Sequence, residues 1–241
     1  MDILYDTTGI AAQRGVRSAR RAAVRSESSV ADLDSVMRNR GHPHALQRGQ
    51  CLYHAAEPGH TIYVVVSGMI KESLVTSKGS EQVVQLYFEN DLLGLNTFDA
   101  SRHGGTAVAL ESTQTRSLPV AALAELCRFC PLVHHQLMCR MSEHIAGLQA
   151  HTFMLMKTAV GRTADYLLVL AARRPVRYGN LSLPMSLYEI GCYLGIALET
   201  VSRSLSELER EGVITKQGSM VHIRDWDRLE RVADTGRVER C

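Results

Sequence analysis

Four residues in the last fifth of the chain have the chemistry of base recognition. Glu199, Thr200, Ser202 and Arg203 lie within one short stretch, and Glu199, Ser202 and Arg203 stand at i, i+3 and i+4. On a helix that spacing puts the three side chains on one face. An arginine guanidinium donates twice to guanine O6 and N7, a glutamate accepts from cytosine N4, and a serine hydroxyl serves either. Lys216, further on, adds a cation for a phosphate, and Arg162, Arg173 and Arg174 are further candidates for phosphate contacts. A Glu–Arg pair at i, i+4 also occurs on ordinary helix surfaces. The frame around the residues separates the two readings.

That frame can be read locally. Ser186 followed by Glu189 is a capping box that starts a helix. Leu187, Ile190 and Leu194 share its apolar face, and Gly195 breaks it. A second helix is expected over about residues 197–211, with Val201, Leu205 and Leu208 inward and Gly212 at its end. Residues 213–216 and 220–223 flank Gln217-Gly218-Ser219 as a tight hairpin. Two short helices joined at a glycine and followed by a hairpin predict a winged helix-turn-helix. Its second helix would enter the DNA major groove. Just upstream, residues 163–172 read as a helix stopped before Pro175.

The rest of the chain must position that reader. Residues 47–118 read as β, with short apolar runs at 61–66, 69–75, 82–88 and 106–110 between glycines 49, 59, 68, 79 and 94. Short strands at such spacing predict a sandwich or barrel. Beyond it, Pro131 suits the first position of a long helix. Met138, Met141, Ile145, Leu148, Thr152, Leu155 and Ala159 then step alternately by three and four residues. That is a heptad seam, the pattern of a helix paired with another. A helix packed on its own domain can carry the same period. The expected organisation is α+β. It comprises a flexible extension over 1–30, a β domain over 31–130, a dimerisation helix over 131–159 and the DNA-binding domain over 160–241.

Composition excludes several classes. The chain has 241 residues, 45% apolar and 22% charged, with a formal net charge of +2. This is ordinary globular usage, neither collagen-like nor disordered. No apolar run approaches the ~18 residues of a membrane helix. The six cysteines form no secreted-style framework, so a reducing, cytoplasmic compartment is expected. The extension carries Arg14, Arg17, Arg20, Arg21 and Arg25, but Asp2 and Asp6 argue against a targeting peptide.

Residues 188–203, Tyr-Glu-Ile-Gly-Cys-Tyr-Leu-Gly-Ile-Ala-Leu-Glu-Thr-Val-Ser-Arg, resemble the recognition segment of the CRP/FNR family of bacterial transcription regulators. Arg48-Gly49-Gln50, Ala56-Glu57-Pro58-Gly59, residues 63–68 and Asp91-Leu92-Leu93-Gly94 are similar to landmarks of the family's β-roll. The resemblance spans about residues 40–233. It implies an N-terminal β-roll like those that bind cyclic nucleotides, a long dimerisation helix and a C-terminal winged helix-turn-helix. The Glu-x-x-Ser-Arg triplet, here Glu199, Ser202 and Arg203, resembles that of the FixK and FNR type. It implies a TTGAT-like half-site in an inverted repeat, read by a homodimer that engages RNA polymerase. Oxygen-sensing FNR holds a four-iron cluster on an N-terminal cysteine group and one β-roll cysteine. This extension has no cysteine, and Arg116 stands where the β-roll cysteine would fall. The cyclic-AMP pocket of the family needs a Gly-Glu and an Arg-Ser pair. Here the corresponding stretches are residues 91–94 and His103-Gly104-Gly105, and a buried phosphate without a cation is costly. The resemblance is therefore to the FixK branch, and it implies control of low-oxygen genes such as those of respiration, denitrification or nitrogen fixation. A small effector entering the β-roll is the alternative.

The remaining reactive groups are weaker candidates. Cys192 falls off the Leu187–Ile190–Leu194 face, so it is expected to be partly exposed and near DNA, where oxidation would bring negative charge towards phosphates. An incidental half-buried cysteine would behave simply as a small hydrophobe. Cys127 and Cys130 with His134 and His135 have some metal-ligand character. Pro131 between them points to a helix start that separates them. The ten histidines are scattered and carry no haem motif. No phosphate-cradling loop, HExxH or nucleophile elbow suggests catalysis. No cofactor, metal or catalytic residue is assigned.

Overall fold

Period-two alternation decides the N-terminal half. The computed structural model describes residues 32–98, 102–176 and 179–238. The extension expected over residues 1–30 lies outside them. Between residues 42 and 119 the chain forms β1 (His42–Leu46), β2 (Cys51–Tyr53), β3 (Thr61–Ser67), β4 (Ile70–Val75), β5 (Glu81–Tyr87), β6 (Leu92–Leu93), β7 (Thr106–Ala109) and β8 (Thr113–Pro119). They make two antiparallel four-stranded sheets, ordered β1-β8-β3-β6 and β2-β7-β4-β5. Residues of alternate parity face inward, and Tyr53, Val65, Ile70, Tyr87, Leu93 and Ala107 fill the space between the sheets. The four expected apolar runs match β3, β4, β5 and β7 closely. β1 and β8 have few large apolar residues, and their pairing gave no sequence signal.

Helix α1 (Leu33–Arg40) starts at a capping box of Asp32 and Ser35. With α2 (Val120–Phe129) and α3 (Pro131–Met154) it packs on the β1-β8-β3-β6 sheet through Leu33, Val36, Met37, Leu123, Val133 and Leu137. Pro131 opens α3, as expected. The long helix stops at Met154, short of the expected 159. Residues 155–158 form a turn, and Thr158 caps the next helix, α4 (Ala159–Arg173), by accepting from the Gly161 amide. Ala159 therefore belongs to α4 and leaves the heptad seam. No helix of the described residues is long and apolar enough to cross a membrane.

The C-terminal part contains β9 (Asn180–Ser182), α5 (Leu187–Leu194), α6 (Leu198–Arg210), β10 (Ile214–Gln217), β11 (Met220–Ile223) and α7 (Trp226–Thr235). Gln217 pairs with Met220, so the hairpin turn is the two residues Gly218-Ser219, and Val213 precedes the strand. β9 adds a third strand to the wing, and α7 covers α4; both are additions to the sequence reading. This part does not build its core alone. Met69, Val83, Leu86, Phe88 and Leu110, on the outer face of the β2-β7-β4-β5 sheet, join Leu167, Leu170, Ile190, Leu194, Val201 and Leu205 in one continuous apolar cluster.

A buried ion pair fixes the turn between α3 and α4. Lys157 Nζ lies 2.7 Å from Asp165 Oδ2, with the side chains 14% and 10% exposed. Burial pushes the Asp165 carboxyl above its usual value, and Lys157 pulls it back only in part. Removing one partner of such a pair strands the other charge, so Lys157→Met should cost roughly 3–5 kcal/mol, read from urea unfolding at neutral pH. The folded carboxyl then binds a proton that the unfolded one, near 3.9, has released. Stability of the variant should accordingly fall as pH rises through that interval and recover on acidification from neutrality. A variant with the parent's urea midpoint would show that Asp165 does not depend on this partner.

Candidate nucleic-acid interface

The reader is built on two caps. Ser186 Oγ accepts the Glu189 amide at 3.2 Å, and Glu189 Oε2 accepts the Ser186 amide at 2.9 Å. At the other end of α5, Gly195 adopts φ +63°, a conformation side chains resist. The turn it makes sends the chain directly into α6. Val201, Leu205 and Leu208 are buried on that helix at 0%, 3% and 0% exposure, which fixes its rotation. Glu199, Ser202 and Arg203 consequently stand outward and exposed, and Thr200 is half-buried at the edge. The structure thus brings the predicted triplet together on one solvent-facing side. Ser206 and Arg210 continue the same stripe, at i+7 and i+11 from Glu199, and are exposed. Helical spacing could have found them, but their types are common on any surface. Lys216 is half-buried on β10, where its amide donates to Glu209 Oε1 at 2.9 Å and ties the wing to α6.

The orientation of α5 and α6 is set from behind. The last carbonyls of α5 lack helical partners. His151 on α3 donates from Nε2 to the Tyr193 carbonyl at 2.9 Å, and its ring stacks on Tyr193 at 4.3 Å between centroids. Because a carbonyl only accepts, this bond fixes the proton on Nε2. Arg162 donates to the Leu194 carbonyl at 2.8 Å and to the Lys157 carbonyl at 2.9 Å. A cation at a helix C-terminus is favourable on its own account.

The roll holds the reader through charge as well. Lys71 Nζ lies 3.0 Å from both Glu81 and Glu189. Arg174 makes a two-pronged pair with Glu111, at 3.0 and 2.8 Å, and Arg173 pairs with Asp91. Arg162, Arg173 and Arg174, candidates for phosphate contacts on sequence, are therefore engaged within the protein. Burial alone would raise the Glu189 carboxyl, but the Ser186 amide and Lys71 hold it below its usual value.

The described cysteines are partly exposed, and Pro131 separates Cys127 from His134, as expected. Cys192 is half-buried and lies on the α5 face that carries Tyr188 and Glu189. That face meets β4 of the roll through the Lys71–Glu189 pair. The Cys192 sulfur contacts the Tyr188 phenol, which is held above its usual value chiefly by that contact. Cys127 lies on α2 and His134 on α3, with Cys130 at the junction, so the three do not share a helix. Among the described residues no group of three or more His, Cys, Asp or Glu is gathered to hold a metal. Arg116 donates to the Gly41 carbonyl at 3.0 Å, a structural role.

Comparisons with known proteins agree with this geometry. The family model for the Crp-like helix-turn-helix domain matches residues 161–232, and that for the cyclic nucleotide-binding domain matches residues 43–128. The chain is 36% identical over 203 residues to the transcriptional activator protein Anr of Pseudomonas aeruginosa, covering 82% of each chain. It is 29% identical over 212 residues to the fumarate and nitrate reduction regulatory protein of Escherichia coli, covering 86% of this chain and 84% of that one. The solved structure of FixK2 from Bradyrhizobium japonicum superposes with a TM-score of 0.74 at 29% identity, covering 79% of this chain and 96% of that chain.

Glu189 serves the capping box and the Lys71 pair together, so Glu189→Ala should cost about 1–2 kcal/mol of stability. A carboxyl held below its unfolded value stabilises above about pH 4.3 and ceases to do so as pH falls through its folded value. Thermal melts of parent and variant should differ at neutral pH and converge in acid. A gap that widens in acid would contradict the assignment.

Proposed function

The chain belongs to the CRP/FNR family of DNA-binding transcription regulators, and from that premise we propose that it acts as a FixK-like homodimer on an inverted repeat of TTGAT-type half-sites. The observation that carries this reading is the exposed Glu199, Ser202 and Arg203 face on a rigidly anchored α6. Arginine to guanine and glutamate to cytosine is the pairing that such a face can make.

The dimer reading rests on α3. Met138, Ile145 and Leu148 are 43%, 54% and 38% exposed, Thr152 is exposed beside them, and Met141 and Leu155 are half-buried at the edge. Phe153 and Met156, also exposed, extend the apolar surface past the helix end. An apolar seam at coiled-coil spacing, bare along one side of a long helix, suits a second copy of the same helix. A two-fold pair would present two recognition helices one DNA turn apart, roughly 34 Å.

The likeness to a transcriptional activator and to a fumarate and nitrate reduction regulator supports control of respiratory genes; action on low-oxygen genes in the cytoplasm, through contact with RNA polymerase, belongs to the same proposal. An effector-independent form fits better than the effector-gated alternative, because Tyr53, Tyr87 and His103 already fill the roll and are at most 4% exposed. Thiol control through Cys192 would act on the α5–roll contact, since that is where the residue lies.

The test is a titration of the reduced, full-length protein, without added ligand, on a TTGAT-N4-ATCAA duplex and a scrambled duplex at fixed salt. Specific binding by a dimer is expected. Arg203→Ala should lose about 1–3 kcal/mol on the repeat and relax its base preference, whereas Lys216→Ala should weaken both duplexes alike. Ile145→Glu should give a monomer without specific binding. Equal affinity of the parent for both duplexes would overturn the half-site. A dimeric Ile145→Glu would overturn the seam.

A further inference from the structure

Strand β4 carries a carboxylate on its inner side that the DNA-binding reading does not use. Glu72 accepts from the Tyr53 hydroxyl at 3.2 Å and from the Tyr87 hydroxyl at 2.7 Å. Both tyrosines are nearly fully buried, at 4% and 3% exposure. Burial first, and then the nearby Glu72 charge, push both phenols far above their usual value, so both remain donors. The Glu72 side chain lies against the backbone of the His103-Gly104-Gly105 segment. A Cβ on Gly105 would sit 2.8 Å from Glu72 Cγ, so the glycine is what lets the carboxylate side chain in.

Two aromatic paths leave this carboxylate. Tyr53 stacks on His103 at 3.7 Å and 9°, and it meets Tyr63 of the opposite sheet at 5.8 Å. Tyr87 runs the other way. Its ring lies parallel, within 13°, to the ring of His144 at 6.0 Å. His144 is on α3 and immediately precedes Ile145 of the exposed seam. A charged acceptor inside the roll is thus linked, through one tyrosine, to the helix that carries the dimer seam. Its two oxygens are each held by a different strand.

We propose that Glu72 is a positioning residue that takes the place of an effector: its carboxylate, clamped by Tyr53 and Tyr87, sets α3 through the Tyr87–His144 stack and so holds the dimer in its DNA-binding form without a ligand. This rests on the reading of the chain as a dimeric DNA-binding regulator. A ligand changes an equilibrium only through contacts that differ between two states. An internal carboxylate makes such contacts permanently, and its removal leaves a cavity lined by two phenolic donors, which is a site for a small carboxylate.

The experiment uses full-length Glu72→Ala, Tyr87→Phe and parent protein. It reads dimer dissociation by sedimentation, affinity for the inverted repeat, and thermal unfolding, in sodium chloride and in sodium acetate of equal ionic strength. Glu72→Ala should unfold cooperatively yet lose dimer and DNA affinity together, by about tenfold, within the usual range of coupling between sites. Acetate should restore both in Glu72→Ala and change neither in the parent. Tyr87→Phe should show part of the loss and no acetate rescue. Parent-like dimer and DNA affinity in Glu72→Ala overturns the proposal, as does a loss that acetate leaves unchanged. If Glu72→Ala does not fold, Tyr87→Phe and His144→Ala decide by the same two affinities, and parent-like values in both overturn it. A parent that does not discriminate the repeat from the scrambled duplex refutes the functional reading instead, and the dimer measurement still judges Glu72.

Discussion

A strand has two sides, and β4 uses both. Lys71 points out of the roll, towards α5, and Glu72 points in, towards Tyr53 and Tyr87. The pleat makes this unavoidable, since neighbouring residues on a strand must face opposite ways. A register slip of one residue would bury Lys71 in the roll and turn Glu72 towards the carboxylates Glu81 and Glu189. Both exchanges would be heavily penalised, because a buried charge without its partner costs several kcal/mol. The register of this strand therefore ties the state of the roll interior to the seating of the DNA reader. Apolar packing repeats the same link, because Met69 and Leu86 on the outer face belong to the core of the helix-turn-helix.

This arrangement makes the reader a poor candidate for independent motion. Its apolar faces are divided between its own elements and the roll. The C-terminal carbonyls of α5 are held by His151 from α3 and Arg162 from α4. The turn between those two helices is held by the buried Lys157–Asp165 pair. Any change in the direction of α6 must break hydrogen bonds at α5, and that break would be felt in α3. Coupling between α3 and α6 thus follows from specific contacts, not from distance alone.

What could be read from the sequence was local. Ser186, Glu189 and Gly195 announce the ends of α5 because a cap is a chemical event within four residues. Val201, Leu205 and Leu208 gave the rotation of α6, and with it the exposure of the Glu199–Arg203 face. The apolar stripe of α3 was legible for the same reason, although the turn at 155–158 was not; no glycine or proline marks it, and only Thr158 hints at a new start. The illegible part was long-range. The partnership of Lys71 with Glu189, and of Arg174 with Glu111, joins residues far apart in the chain and leaves no periodic trace. The pairs Arg174–Glu111 and Arg173–Asp91, and the bond from Arg162 to the Leu194 carbonyl, explain why three arginines that look like phosphate ligands in the sequence are structural in the fold. The same reasoning applies to Cys192, whose wheel position says which face it leaves but not which neighbour it meets.

The charge balance then bears on how such a protein finds its site. Its 27 basic residues barely exceed its 25 acidic ones, and several of the basic ones are engaged by carboxylates or carbonyls. Phosphate neutralisation supplies most of the non-specific affinity of DNA-binding proteins. A chain that commits arginines to its own interior gives up part of that term. In the proposed contact Glu199 adds a further cost near phosphates, which a cytosine N4 donor would recover. The consequence is a reader that gains comparatively little from DNA in general, and on the proposed reading it depends on the correct bases being present twice, once for each half-site. In the proposed dimer the second copy would be part of the recognition chemistry, because it doubles the base contacts that one α6 face can make. On that proposal the bare apolar stripe on α3 and the triplet on α6 are two parts of one requirement, and the contacts of His151 and Arg162 with the α5 carbonyls join them.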